Sequence, residues 1–190
     1  MTTKEKIKES LLKILERYPA DEVTLKLFCA DTGISKQTLY NHYRSLMDAL
    51  EDAYRSEFKT HLADCDNYLK WVEGFRALLD MLKSKQNICL HLYFSSRQED
   101  FVGMIEKYGA TLIQRGIEDC SRDQNLTVSE KDKAFMLNFY MYVFMGIIKD
   151  FFEHKMREDT AYIAKRCDAM LRFHIRNSLK NIRDQEKGAF

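Results

Sequence analysis

Apolar residues recur at spacings of three and four through nearly the whole chain, which is the periodicity of helices packed on one face. Ile7, Leu11, Ile14, Leu15 and Tyr18 form such a stripe, with lysines and glutamates opposite, and predict a first helix over residues 3–18 that Pro19 stops. Leu46, Leu50, Tyr54, Phe58 and Leu62 recur every fourth residue behind Ser45, an N-cap with Asp48 at the capping-box position. Tyr68, Trp71, Val72, Phe75, Leu78, Leu79 and Leu82 predict a helix over residues 67–83. Residues 88–94 are apolar and fit a helix or a strand by periodicity; in so helical a chain they read as a short helix. Phe101, Met104, Ile105, Tyr108, Leu112, Ile113 and Ile117 predict a helix over residues 100–120. Gly103, Gly109 and Gly116 weaken it by up to ~1 kcal/mol each relative to alanine, which reads as a sign of close packing.

Ser129 caps a long helix over residues 130–155 whose middle is apolar on nearly all sides. Asp159 caps a last one, to about residue 181, with Ile163, Cys167, Met170, Leu171, His174, Ile175 and Leu179 on one stripe. The expectation is an all-α chain of about nine helices. The apolar run at 134–148 is broken by Asn138, ended by Lys149 and Asp150, and shorter than the ~20 residues of a membrane span, so it reads as a helix surrounded by protein. Few elements remain to cover it. A second copy is the economical cover, with residues 130–155 and 159–181 of two chains forming a four-helix interface.

Residues 24–43, TLKLFCADTGISKQTLYNHY, have a different character. Thr24 is placed to cap a short helix that buries Leu27 and Phe28, Gly33 suits a bend needing positive φ, and Ser35 caps a second helix. In that second helix Leu39 and Tyr43 share one face, while Lys36, Gln37, Thr38, Tyr40, Asn41 and His42 occupy the other. A minimal buried side and a hydrogen-bonding exposed side are what a helix-turn-helix needs to lay its second helix in the DNA major groove. Residues 1–45 thus read as a three-helix head and 46–190 as a helical second domain, with no flexible linker between them.

Composition narrows the classes. Apolar residues at 45% and aromatics at 12% exclude a disordered chain, and one proline with seven glycines favours long helices. Net charge is only +1, so a nucleic-acid footprint must be local. It is local: residues 32–47 carry Lys36 and Arg44 and no acidic side chain. Cys29, Cys65, Cys89, Cys120 and Cys167 have no CxxC pairing and read as reduced thiols of a cytoplasmic protein, with no disulfide framework, metal site or cofactor expected. The polar N-terminus does not read as a signal peptide. The histidines (42, 61, 91, 154 and 174) lack nucleophile partners at recognisable spacing and no glycine-rich phosphate loop follows a strand, so catalysis is not expected.

The stretch TLKLFCADTGISKQTLYNHY, followed at once by RSLMDALEDAY, resembles the TetR family of bacterial transcriptional regulators. Thr24, Gly33-Ile34-Ser35 and Thr38-Leu39-Tyr40-Asn41-His42-Tyr43 match the family pattern, which then has a lysine where this chain has Leu46, so Arg44 is the nearest substitute for that phosphate contact. The resemblance implies a dimeric repressor on an inverted-repeat operator in double-stranded DNA. It implies Lys36, Gln37, Thr38 and Asn41 at base edges, and Thr24, Lys26, Tyr40, His42 and Arg44 at phosphates. It further implies a small-molecule effector in the second domain, for which Trp71, Phe75, His91, Tyr93, Tyr108, Asn138 and Tyr142 are the candidate lining. The alternative is a co-regulator with a TetR-like head that answers to a protein partner.

Overall fold

A computed structural model describes residues 1–62, 71–171, 173–186 and 188. Among these residues there are ten α-helices, one 3-10 turn and no strand. The chain divides into two compact units, residues 1–63 with 81–104, and residues 64–80 with 105–190. Residue 45, the expected boundary, lies within unit one.

In unit one, α1 (Thr3–Leu15) starts at a full capping box: Thr2 accepts from the Glu5 amide at 3.2 Å while Glu5 accepts from the Thr2 amide at 2.6 Å. It ends at Leu15 rather than Tyr18, because the amides of Arg17 and Tyr18 both turn back to the Ile14 carbonyl and Pro19 disfavours helix before it. Ile7, Leu11, Ile14 and Leu15 are fully buried, chiefly against α4 (Leu46–Leu62), which brings Leu46, Ala49, Leu50, Ala53 and Tyr54 to the same core. The side chains of Phe58 and Leu62 lie outside the described set. Between them sit the 3-10 turn Ala20–Glu22, α2 (Leu25–Thr32) and α3 (Lys36–Tyr40).

The segment of ambiguous periodicity is helical. α6 (Gln86–Tyr93) buries Ile88, Cys89, Leu92 and Tyr93, and follows α5 (Trp71–Ser84), whose residues divide between the two units. Polar clasps hold α6 and its exit to the head: His91 Nδ1 lies 2.6 Å from the Leu15 carbonyl oxygen, and Ser96 donates to Asp21 from its amide (3.0 and 3.1 Å) and hydroxyl (2.6 Å). Those Ser96 bonds hold the Asp21 carboxyl below its usual range. Lys85 pairs with Glu57 at 3.0 Å.

α7 (Gln98–Asp123) gives residues 98–104 to unit one and the rest to unit two. In unit two it packs with α8 (Glu130–Glu153), α9 (Thr160–Leu171) and α10 (His174–Glu186) around Ile113, Ile117, Met136, Tyr140 and Leu179. Ser129 caps α8, accepting from the Asp132 amide at 3.2 Å. α8 is 24 residues long, and among the described residues it is the one helix long and apolar enough to cross a membrane by length and composition. Its two faces differ: Met136, Tyr140, Ile148, Phe151 and Phe152 are buried, while Phe135, Phe139 and Tyr142 are 69%, 45% and 78% exposed. Cys89, Cys120 and Cys167 are buried free thiols and Cys29 is half-buried; Cys65 lies outside the described residues.

The expected single last helix is two. Phe173 stands between α9 and α10 with φ +61°, and this reversal turns His174 onto the Tyr140 hydroxyl at 2.8 Å. A second left-handed step ends α8, where Lys155 (φ +57°) and Met156 (φ +54°) follow each other and fully buried Met156 donates its amide to the Phe151 carbonyl at 2.7 Å. Left-handed backbone at a non-glycine residue is costly, and the burial of Met156 offsets it. Lys155→Gly, at an exposed position, is therefore expected to raise the unfolding free energy by about 0.5–1 kcal/mol. Met156→Ala is expected to lower it by about 2–5 kcal/mol. Denaturant melts of the two variants check both signs.

Candidate nucleic-acid interface

The head is built by local chemistry. Thr24 caps α2 by accepting from the Leu27 amide at 3.2 Å, and Gly33 ends it at φ +67° with its amide on the Cys29 carbonyl. At this φ a Cβ is penalised, so the turn selects glycine. Ser35 then caps α3, accepting from the Thr38 amide at 3.0 Å. Phe28, Ile34, Leu39 and Tyr43 bury the inner side.

α3 is shorter than the sequence indicates. It ends at Tyr40, with Asn41 still in helical geometry as its C-cap and the amides of His42 and Tyr43 returning to Leu39. The chain leaves early because Ser45 must cap α4, accepting from the Asp48 amide at 3.0 Å, while Asp48 accepts from the Arg44 amide at 3.1 Å. Tyr43 anchors the exit. Its hydroxyl donates to Asp52 of α4 at 2.8 Å, and Asp52 also meets Lys4 at 3.3 Å and Lys8 at 3.9 Å from α1. Lys4 further lies 5.1 Å over the Tyr43 ring. Burial, and then the Asp52 carboxylate, push the Tyr43 phenol far up, so it stays a neutral donor. Burial also acts to raise Asp52, but the Tyr43 bond and the two lysines outweigh it and hold its carboxyl below the ordinary value.

All the candidate DNA residues lie in unit one, with Thr24, Lys26, Lys36, Gln37, Tyr40, Asn41, His42 and Arg44 exposed and Thr38 half-buried. Their side chains are not independent. The Thr38 hydroxyl lies 2.8 Å from the Ser35 hydroxyl, so it belongs to the cap and leaves its methyl as the group facing outward chemistry. Gln37 donates to Asn41 at 3.0 Å, and Lys36 lies 5.7 Å over the Tyr40 ring. Leu46, where the resemblance leads one to look for a lysine, is buried in the core.

In unit two a cavity of about 100 Å³ is lined by Phe75, Tyr108, Gly109, Leu112, Tyr140, Met141, Phe144 and Met145, among others. Of the candidate effector residues whose side chains are described, Phe75 and Tyr108 line it. His91 and Tyr93 belong to unit one, where the His91 ring is occupied by the Leu15 carbonyl and Tyr93 sits buried in edge contact with Phe94 at 5.1 Å. Asn138 and Tyr142 are on the exposed face of α8, one step of the helix away from the lining residue Met141. The side chain of Trp71 lies outside the described set. Sequence reasoning missed Met141 and Phe144, though Gly109 and Gly116 were visible and both line the void. The glycines are not all at close approaches: a Cβ at Gly109 would make ordinary contact with Met141 at 3.7 Å, and one at Gly103 would meet nothing within 4 Å.

Asp150, His154 and Glu158 bring three potential metal-ligand atoms within 4.8 Å of one another. His154 Nδ1 lies 3.0 Å from the Asp150 carbonyl, to which it is placed to donate, leaving that nitrogen no lone pair for an ion.

A glycine-turned pair of capped helices with a polar outer face, in a chain whose other unit is all-helical and holds an apolar cavity, has the geometry of a helix-turn-helix protein. Residues 70–173 match the family TetR_C_8, described as a transcriptional regulator C-terminal region. That match takes in more than half of the chain, and the protein belongs to the TetR family of transcriptional regulators. The chain is similar in fold to a solved structure titled dihydroxyacetone kinase operon activator DhaS, with a TM-score of 0.70 at 15% identity, covering 91% of this chain and 96% of that one. No curated protein matches it in sequence.

The depressed Asp52 carboxyl stabilises the head above the ordinary carboxylate pKa and ceases to do so as pH falls through its lower folded value. Tyr43→Phe is expected to cost about 1 kcal/mol at pH 7, and Asp52→Asn about 1–2 kcal/mol, since it leaves two lysines without their carboxylate. The gap between wild type and Asp52→Asn narrows on acidification below about pH 4. Urea melts across pH check the direction.

Proposed function

We propose that the protein is a dimeric, sequence-specific, cytoplasmic DNA-binding regulator that represses from an inverted-repeat operator and is released by a small molecule held in the cavity of unit two. The observation that carries the reading is the outer face of α3, whose exposed side chains are all hydrogen-bonding groups over a fully buried Leu39. Lys36, Gln37, Thr38 and Asn41 are the base readers, and Thr24, Lys26, Tyr40, His42 and Arg44 set register on phosphates.

The Gln37–Asn41 bond supports a sharper version. Whichever amide donates within the pair, one carbonyl and one NH₂ remain directed outward. Adenine presents an N6 donor beside an N7 acceptor in the major groove, so the two side chains together fit one A·T pair rather than two separate bases.

Dimerisation is supported by the outer face of α8, where Phe135, Phe139 and Tyr142 follow each other at spacings of four and three with Tyr162 and Met170 exposed on α9. An aromatic face of this kind on a regular helix marks a protein contact. A second copy covers it and places two heads on one face of the duplex.

A second reading keeps the DNA head but makes a protein partner the controlling signal, with activation as the outcome. The cavity of about 100 Å³ favours it, being smaller than the ~300–1,000 Å³ of drug-sized sites. The fold neighbour titled an operon activator also favours it.

Selection from random DNA by the full chain tests the main reading: an inverted repeat with half-sites about 34–36 Å apart is expected, and no enrichment overturns it. Gln37→Ala and Asn41→Ala are each expected to relax the same base pair by about 1–3 kcal/mol, with the double variant losing little more than either. Additive losses at two different positions would show separate readers. Phe139→Asp is expected to turn a dimer into a folded monomer in sedimentation, and an unchanged dimer would place the interface elsewhere.

A further inference from the structure

The void in unit two has a chemistry that selects among ligands. Among its described lining residues there is no aspartate, glutamate, lysine or histidine, and the one cation, Arg115, is exposed. The Tyr140 hydroxyl is already held by His174 Nδ1 at 2.8 Å and lies 3.3 Å from the Ser178 hydroxyl, both on α10. Burial raises the pKa of that phenol, which keeps it uncharged. Phe75 and Phe144 meet edge to face at 5.0 Å and 63° in this wall. An organic cation would give up hydration there without gaining a carboxylate from the described lining residues.

Size narrows the choice further. An apolar cavity of ~150 Å³ holds one benzene ring, and this one measures about 100 Å³. Met141 and Met145 form part of its wall and are only partly buried, and unbranched thioether chains re-pack easily to admit slightly more.

We propose that this cavity takes an uncharged apolar molecule of one small ring or a short alkyl chain, and rejects an organic cation of the same size. The inference rests on the reading of the cavity as a ligand site and deepens it by naming the class. Gly109 of α7 lines the void, and a Cβ there would stand in ordinary contact with Met141 Sδ at 3.7 Å, so a longer side chain at this position competes for the same space.

The test is a thermal-shift and calorimetric comparison on the full chain with toluene, 1-hexanol and hexylammonium at pH 7. Toluene and hexanol are expected to raise the melting temperature and to bind about ten-fold or more tighter than hexylammonium. Hexylammonium binding as well as hexanol, or no binding by the neutral pair, overturns the inference. Gly109→Leu is expected to abolish the neutral ligands' effect while the ligand-free protein melts no lower than wild type, since leucine is the better helix former. If that variant does not fold, Met141→Phe gives the same reading, and retained binding in the folded variant places the site elsewhere and overturns the assignment. Operator gel shifts with the same compounds separate the two levels. Binding without loss of operator affinity leaves the ligand class standing and removes the effector role.

Discussion

A five-residue helix cannot hold itself in water, because nucleation alone outweighs the few hydrogen bonds it makes. α3 is such a helix, and its position depends on what grips its two ends. The Ser35 cap fixes the first turn and the Tyr43–Asp52 bond fixes the exit, with Leu39 buried between them. Asp52 in turn gathers Lys4 and Lys8, so one carboxylate ties the end of α3 to both α4 and α1. The outer side chains of α3 inherit this rigidity. Groups that are to meet base edges within hydrogen-bond tolerance need a platform whose geometry is settled beforehand, and here a partly solvated ionic knot supplies it.

The same logic explains Leu46. A lysine at the start of α4 would add a phosphate contact, but in this chain the position faces the core beside Ala49 and Leu50. The head exchanges one long-range charge for packing that secures the junction of α3 and α4. What positive charge remains is local, on Lys26, Lys36 and Arg44, in a protein whose net charge is only +1.

The head was legible in the sequence because its determinants are local. Thr24, Gly33 and Ser35 each act within three or four residues of themselves, and the structure uses each in the expected role. The break at Phe173 was not legible: no glycine or proline marks it, and the reversal is held by a tertiary bond from His174 to Tyr140, 34 residues away. The cavity failed to show for a related reason. Periodicity says that a face is buried but not against what: Tyr93 is buried in the other unit, and half-buried His91 is there too, with its ring on the Leu15 carbonyl. Asn138 and Tyr142 sit beside true lining residues in sequence yet point outward, because on a helix apolar all round the 3.6 period carries no sign of direction.

That ambiguity of α8 has a physical meaning. A helix apolar on every side is stable only if every side is covered. One face is covered within the chain by the cluster around Tyr140, and the same residue closes a wall of the cavity and holds α10 through His174. The other face presents Phe135, Phe139 and Tyr142 exposed, and it is the surface proposed to meet a second copy. The two faces belong to one helix: Tyr140 and Met141 line the void, while Phe139 and Tyr142 are exposed. If the proposed ligand and the proposed second copy both bind, they share one helix, and a shift of α8 would be felt by both without a separate path between them.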